Sequence, residues 1–155
     1  YKHIILLDLD EWGNSIVLDD GLFLACESTL KQKAVRRKTF SSVFAGGEGF
    51  FNLGLKGSGV VCIESDCSRE ELVEITLEDD VVKIDGNLAI AWSGSLDFTV
   101  ERAGKSLLGS AASGEGLVNV YRGTGKVLLA PVGNQAMKPQ QVIEKEPVIV
   151  GDDDE

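Results

Sequence analysis

Gly47-Glu48-Gly49-Phe50-Phe51-Asn52-Leu53 recurs as Gly114-Glu115-Gly116-Leu117-Val118-Asn119-Val120, 67 positions further along the chain. In both copies a glycine-flanked glutamate precedes two apolar residues, an asparagine and a third apolar residue. Shortly afterwards Gly57-Ser58-Gly59-Val60-Val61 is answered by Gly123-Thr124-Gly125-Lys126-Val127 at a displacement of 66, so one residue is lost between the two signatures. A change of one residue within a β-ribbon is what a turn or bulge produces. Upstream, Asp20-Gly21 before Leu24-Ala25 is echoed more faintly by Asp85-Gly86 before Ile90-Ala91. Self-similarity at a fixed spacing signals paired supersecondary units sharing a core, and two modules of roughly 65 residues are expected, at about 15–64 and 80–130.

Outside the signatures the hydrophobic period is close to two. Val73, Ile75 and Leu77 alternate with Glu74, Thr76 and Glu78, and Val82 and Ile84 follow Asp79 and Asp80. That pattern predicts two half-buried strands joined by a tight acidic turn, a hairpin. Ser68-x-x-Glu71 has the form of a helix capping box, yet the apolar positions after it keep the strand period. Further strand-like runs lie at 3–9, 15–18, 22–27, 49–55, 60–64, 88–92, 96–101, 116–121 and 126–130, separated by turn residues. Many short strands at even spacing predict an all-β fold of repeated antiparallel β-sandwich or jelly-roll-like modules, with residues 1–130 as one body. Pro131, Pro139, Pro147 and the acids of Asp152, Asp153, Asp154 and Glu155 then mark 131–155 as an extended acidic C-terminal arm.

Composition agrees. The chain has 155 residues, enough for one ordinary domain, and its 18 glycines against 3 prolines suit tight turns between short strands. Fifteen basic and 25 acidic side chains leave a net charge of -10, which opposes non-specific attraction to nucleic-acid phosphates. The apolar run Ile4-Ile5-Leu6-Leu7 is far shorter than the roughly 20 residues a spanning helix needs, so no transmembrane segment is expected. Cys26, Cys62 and Cys67 are odd in number and lack a Cys-x-x-Cys spacing, the pattern of free thiols in a reducing, cytoplasmic setting.

Glu48 and Glu115 invite a reading as paired catalytic or cation-binding carboxylates. A glutamate between two glycines at a strand entry also accepts hydrogen bonds from turn amides, and its presence in both copies favours that structural role. The structural signature is therefore Gly47, Glu48, Gly49, Asn52, Gly57 and Gly59, with Gly114, Glu115, Gly116, Asn119, Gly123 and Gly125 as its second copy. A lone histidine, His3, leaves no ligand set for a transition metal and no partner for a nucleophilic triad. No metal, cofactor or catalytic residue is expected. Lys31, Lys33, Arg36, Arg37 and Lys38 form the basic cluster, read first as a solvated strand face and second as a contact for RNA or another anion. Trp12 and Trp92 are expected in the core or at a subunit contact.

The phrases Phe44-Ala45-Gly46-Gly47-Glu48-Gly49-Phe50-Phe51 and Ala112-Ser113-Gly114-Glu115-Gly116-Leu117-Val118, each followed by Gly-[Ser/Thr]-Gly and an apolar strand, resemble the altered-inheritance-of-mitochondria protein 24 family over roughly residues 15 to 130. That resemblance implies stacked β-sandwich modules akin to the trp RNA-binding attenuation protein, and self-association. It attaches mitochondrial membrane organisation to eukaryotic members only and transfers no catalytic residue. Family members commonly have Gly-Pro-Gly where this chain has Gly57-Ser58-Gly59 and Gly123-Thr124-Gly125, and many are longer. The expected function is that of a non-enzymatic, self-associating β scaffold, a homo-oligomer of three or more chains with possible protein partners. The alternatives are an RNA- or small-ligand-binding module and a carboxylate-dependent enzyme.

Overall fold

A computed structural model describes residues 1–36, 51–85, 88–102 and 117–131. Glu48 and Glu115 with their flanking glycines Gly47, Gly49, Gly114 and Gly116, the basic residues Arg37 and Lys38, and the arm from 132 onward lie outside the described residues.

The described chain is all-β apart from one 3-10 turn. Its strands are β1 (His3–Asp8), β2 (Ser15–Leu18), β3 (Phe23–Cys26), β4 (Lys31–Arg36), β5 (Phe51–Lys56), β6 (Val60–Ser65), β7 (Val73–Asp85), β8 (Ala89–Ser93), β9 (Asp97–Arg102) and β10 (Leu117–Leu129). Alternation explains β1 and β6. In β1, Ile5 and Leu7 turn inward while Ile4 and Leu6 face outward, and in β6 Val61, Ile63 and Ser65 are the buried set. Between β1 and β2 the 3-10 turn Leu9–Trp12 is capped by the Asp8 carboxylate, which accepts from the Asp10 amide at 3.0 Å, and is closed by left-handed Gly13 at φ 67°.

All pairings are antiparallel. A three-stranded sheet runs β1-β6-β3, and a seven-stranded sheet runs β4-β5-β2-β8-β10-β7, with β9 also paired to β10. The pairings of the second half follow those of the first. Cys26↔Val61, Ala25↔Cys62 and Phe23↔Ile63 join β3 to β6, and Trp92↔Val127, Ala91↔Leu128 and Ala89↔Leu129 join β8 to β10, each residue 66 positions on. Likewise Lys31↔Lys56 opens the β4–β5 ladder and Asp97↔Arg122 the β9–β10 ladder. Turn hydrogen bonds follow suit: the Val60 amide donates to Glu27 Oε2 at 2.8 Å, and the Lys126 amide to Ser93 Oγ at 2.9 Å.

Two sequence expectations are corrected. Val73 to Ile84 is no hairpin, because β7 runs through the acidic residues as one strand of 13 residues. Asp79 adopts φ 52°, a left-handed conformation that Asp tolerates better than most residues, and the ladder to β10 shifts register there, opposite Gly123 and Gly125. The Asp79 amide, left out of the ladder, donates to Thr124 Oγ1 at 3.0 Å. For the same reason 116–121 and 126–130 are not two strands but the two ends of β10. By contrast, Gly57-Ser58-Gly59 carries the chain from the seven-stranded sheet (β5) into the three-stranded one (β6), a corner instead of a hairpin turn. At Ser68 one capping-box bond forms, from the Ser68 amide to Glu71 Oε2 at 2.8 Å, while the Glu71 amide donates to the Ser68 carbonyl at 3.1 Å, around a turn and not a helix.

The core has two parts. One lies between the sheets and gathers Ile5, Leu7, Trp12, Ile16, Leu18, Leu55, Val61 and Ile63 with Ile90, Ala91 and Leu128 from the second half. The other fills the curl of the second half around Trp92, Tyr121, Leu77, Ile84 and Val127, and takes in Val17 from β2. The β2–β8 ladder (Ile16↔Ser93, Val17↔Trp92, Leu18↔Ala91) therefore joins the halves, and both cores extend across it.

Candidate functional site

Beside the β2–β8 ladder the seven-stranded sheet forms a cleft of about 370 Å³. Its floor follows from register. Lys33 lies opposite Gly54, Gly54 opposite Val17, and Val17 opposite Trp92, so four strands contribute to one row on one face. The row beside it pairs Val35 with Asn52, and Lys56 lies opposite both Lys31 and Ser15. Leu96, Asp97 and Phe98, from the turn after β8 and the start of β9, form the facing wall. Gly54 deepens the floor, since a Cβ there would lie 2.7 Å from Val35 Cγ2.

Three aromatic rings stiffen that wall. Trp92, Phe98 and Tyr121 stand 5.0–5.3 Å apart in tilted and edge-on pairs, with Trp92 and Tyr121 buried. Buried Asn52, 3% exposed, also lines the cleft, as do exposed Lys33, Lys56 and Asp97. The lysines of a cleft also lined by Trp92 and Phe98 can hold a small anion with a flat apolar body.

Of the described residues singled out in the sequence, Lys33, Asn52 and Trp92 line this cleft. Lys31 is exposed further along β4, and Arg36 ends that strand. Asn119 lies on β10 opposite Val100 and Ile84, in the second half. Gly57, Gly59, Gly123 and Gly125 all take positive φ, from 116° to 158°, at the two corners. Sequence reasoning missed Gly54, Lys56, Asp97 and Phe98 as cleft residues. An unbranched gap at Gly54 between β-formers was the available signal.

Elsewhere the ionisable groups pair at the surface. Arg122 and Lys83 both hydrogen-bond Glu101, and these bonds, Arg122 first, hold its carboxyl below the usual carboxylate range. Lys126 pairs with Glu74 at 2.8 Å and lies 5.8 Å from the Trp12 ring. Cys26, Cys62 and Cys67 are free thiols. Among the described residues no three His, Cys, Asp or Glu side chains are grouped to hold a metal ion, and no helix is long and apolar enough to cross a membrane.

Among the described residues, antiparallel pairs in one three-stranded and one seven-stranded sheet define an all-β protein with a cleft beside the β2–β8 ladder. Residues 1–132 match the family model described as mitochondrial biogenesis AIM24, and the chain belongs to that family. It is 30% identical over 126 residues to an uncharacterised protein of Streptococcus pyogenes serotype M6, covering 81% of this chain and 48% of the relative. A crystal structure of a Streptococcus pyogenes protein superposes with a TM-score of 0.63 at 30% identity, covering 84% of this chain and 55% of that one. The chain thus spans about half the length of the relatives it matches.

Proposed function

We propose that the chain is a non-enzymatic β scaffold, built of two like modules, that self-associates through its sheet edges. One observation carries this reading. Strand β3 ends one sheet and β7 ends the other, and among the described residues neither has a partner on its outer side, while Leu24 (44%), Val81 (46%) and Val73 (49%) stay exposed along them. Open, apolar strand edges are a liability that pairing between subunits removes. The three free thiols suit a reducing compartment such as the cytoplasm. Light scattering at micromolar concentration tests the scaffold: a mass of three chains or more is expected, and a mass of 16.6 kDa would remove it.

The junction cleft favours a second reading, a module that binds a small anion with an apolar body. Titrating isotope-labelled protein with benzoate or phenyl phosphate should give saturable NMR shifts at the Gly54 amide and the Trp92 indole. Those shifts should vanish in the Lys33→Ala/Lys56→Ala double variant. Equal shifts in that variant would place binding elsewhere.

A further inference from the structure

The β3 and β7 edges, two of the sheet ends among the described residues, are not equivalent to each other. They are the two sides of a junction that the chain has already made once. Inside the molecule, β2 of the first half pairs with β8 of the second. The strand corresponding to β2 in the second half is the C-terminal part of β7, because Ser15↔Lys56 and Leu18↔Leu53 are matched by Val81↔Arg122 and Ile84↔Asn119. The strand corresponding to β8 in the first half is β3, by the register given above. Among the described residues both of these counterparts are sheet ends.

Burial tells the same story. At the internal junction Ile90, Ala91 and Leu128 are 1%, 0% and 0% exposed, sealed into the core beside Ile16, Leu18 and Leu55. Their counterparts 66 positions earlier are Leu24, at 44%, exposed Ala25 and half-buried Cys62. Leu6, opposite Cys62 on the same outer face, is 65% exposed, and Ile4 on that face is 70% exposed. The counterparts of Ile16, Leu18 and Leu55 are Val82, Ile84 and Tyr121, which line the second core up to the open side of β7. One molecule thus shows an uncovered apolar strand at its first half, and another shows the apolar floor that covers such a strand at its second.

Resting on the scaffold reading, we propose that β7 of one copy pairs antiparallel with β3 of the next, in the register of the β2–β8 ladder. Val82 then faces Glu27 of the next copy, Lys83 faces Cys26, and Ile84 faces Ala25. The partner is a second copy of this chain, joined head to tail, so the contact is heterologous and builds a ring or an open filament. Three positions depart from the internal junction: Glu27 stands for Ser93, Cys26 for Trp92, and Lys83, whose ammonium binds Glu101 Oε2 at 2.9 Å, for Val17, which is packed in the second core. A charged pair at that seam makes the contact between copies looser than the one within the chain, and dilution should loosen it further.

Register makes the proposal testable with a thiol the chain already has. Residues directly opposite in an antiparallel pair have Cα atoms about 4.5–5.5 Å apart, within the range a disulfide needs. Lys83 is exposed, so Lys83→Cys should leave the fold intact. Under mild diamide oxidation this variant should form disulfide-linked dimers and a ladder above them on non-reducing gels. Cys26→Ser in the same background should abolish the ladder, and Val81→Cys, two positions off register, should cross-link to Cys26 at least tenfold more slowly. Ala25→Glu should keep the far-UV circular dichroism of the parent and shift the scattering mass toward one chain. A parent mass of one chain would remove both this inference and the scaffold reading. An oligomeric parent whose Lys83→Cys variant gives no Cys26-dependent cross-link, or cross-links no faster than Val81→Cys, would overturn the register and leave the scaffold standing.

Discussion

Gly57-Ser58-Gly59 and Gly123-Thr124-Gly125 put nearly the same backbone to two uses. The glycines take φ 133° and 146° in the first and 116° and 158° in the second, conformations open to glycine and costly for other residues. At the first corner the chain leaves one sheet for another. At the second it stays in β10, because β7 keeps pace along both halves by bulging at Asp79. The first half spends its equivalent residues on the 3-10 turn Leu9–Trp12, which separates β1 from β2. Identical corner chemistry therefore does not determine whether a ribbon divides between sheets. The neighbouring strand does.

Substitutions at the corners should separate the two environments. The largest effect is expected for Gly125→Ala, where a new Cβ would lie 2.7 Å from Ser93 Cβ and 3.1 Å from Leu96 Cγ, atoms of a buried strand and turn with no room to retreat. Backbone strain and overpacking together should cost about 2–5 kcal/mol, read as a lower urea midpoint. Gly59→Ala meets Glu27 Oε2 at 2.6 Å and Thr29 Oγ1 at 2.7 Å, the ends of exposed side chains that can swing away, so about 1–2 kcal/mol is expected. Equal costs at the two corners would mean that strand context matters less than backbone conformation.

The hydrogen bonds beside the corners sharpen the contrast. Ser93 is 2% exposed, and its hydroxyl satisfies the Lys126 amide. Ser93→Ala leaves that donor stranded in a half-buried place and should cost about 1–3 kcal/mol. Glu27 does the same for the Val60 amide but in the open, where water can replace it, so Glu27→Ala should cost about 0.5–1 kcal/mol.

The smallest effect is one of pH. Val35 on β4 is answered on β9 by Glu101, whose carboxyl is held below its ordinary value by hydrogen bonds from Arg122 and then Lys83. A depressed folded-state value means that the stabilisation is present above the unfolded carboxylate range and is lost as pH falls through the lowered one. The group is solvent-exposed, so the effect is slight. Melting temperatures of the parent and Glu101→Gln should differ a little near neutrality and converge in acid. A constant gap from pH 6 to pH 3 would show that the bonds to Glu101 do not depend on its charge.

Much of this fold was legible beforehand. Val60 to Ser65, Ser15 to Leu18 and His3 to Asp8 are short apolar runs bounded by polar and turn residues, and their ends fall within a residue or two of the expected runs. Asp79 and Asp80 misled, since an acidic pair between apolar runs reads as a turn in sequence and becomes a bulge only when Thr124 arrives from 45 residues away. The cleft was legible only in fragments. Lys33 and Asn52 were marked for other reasons, Gly54 joins them through the β4–β5 ladder, and Trp92 and Phe98 do so only because β2 pairs with β8.

What the amino-acid order determined unaided was local: which residues extend, which face inward, and where only glycine satisfies the backbone. These follow from side-chain period and steric limits on φ, which act within a few residues. Tertiary structure decided which edges meet, which corner divides a ribbon between sheets, and where a cleft opens. Those outcomes depend on pairing between strands tens of residues apart, where one register is selected by how well two distant apolar faces cover each other.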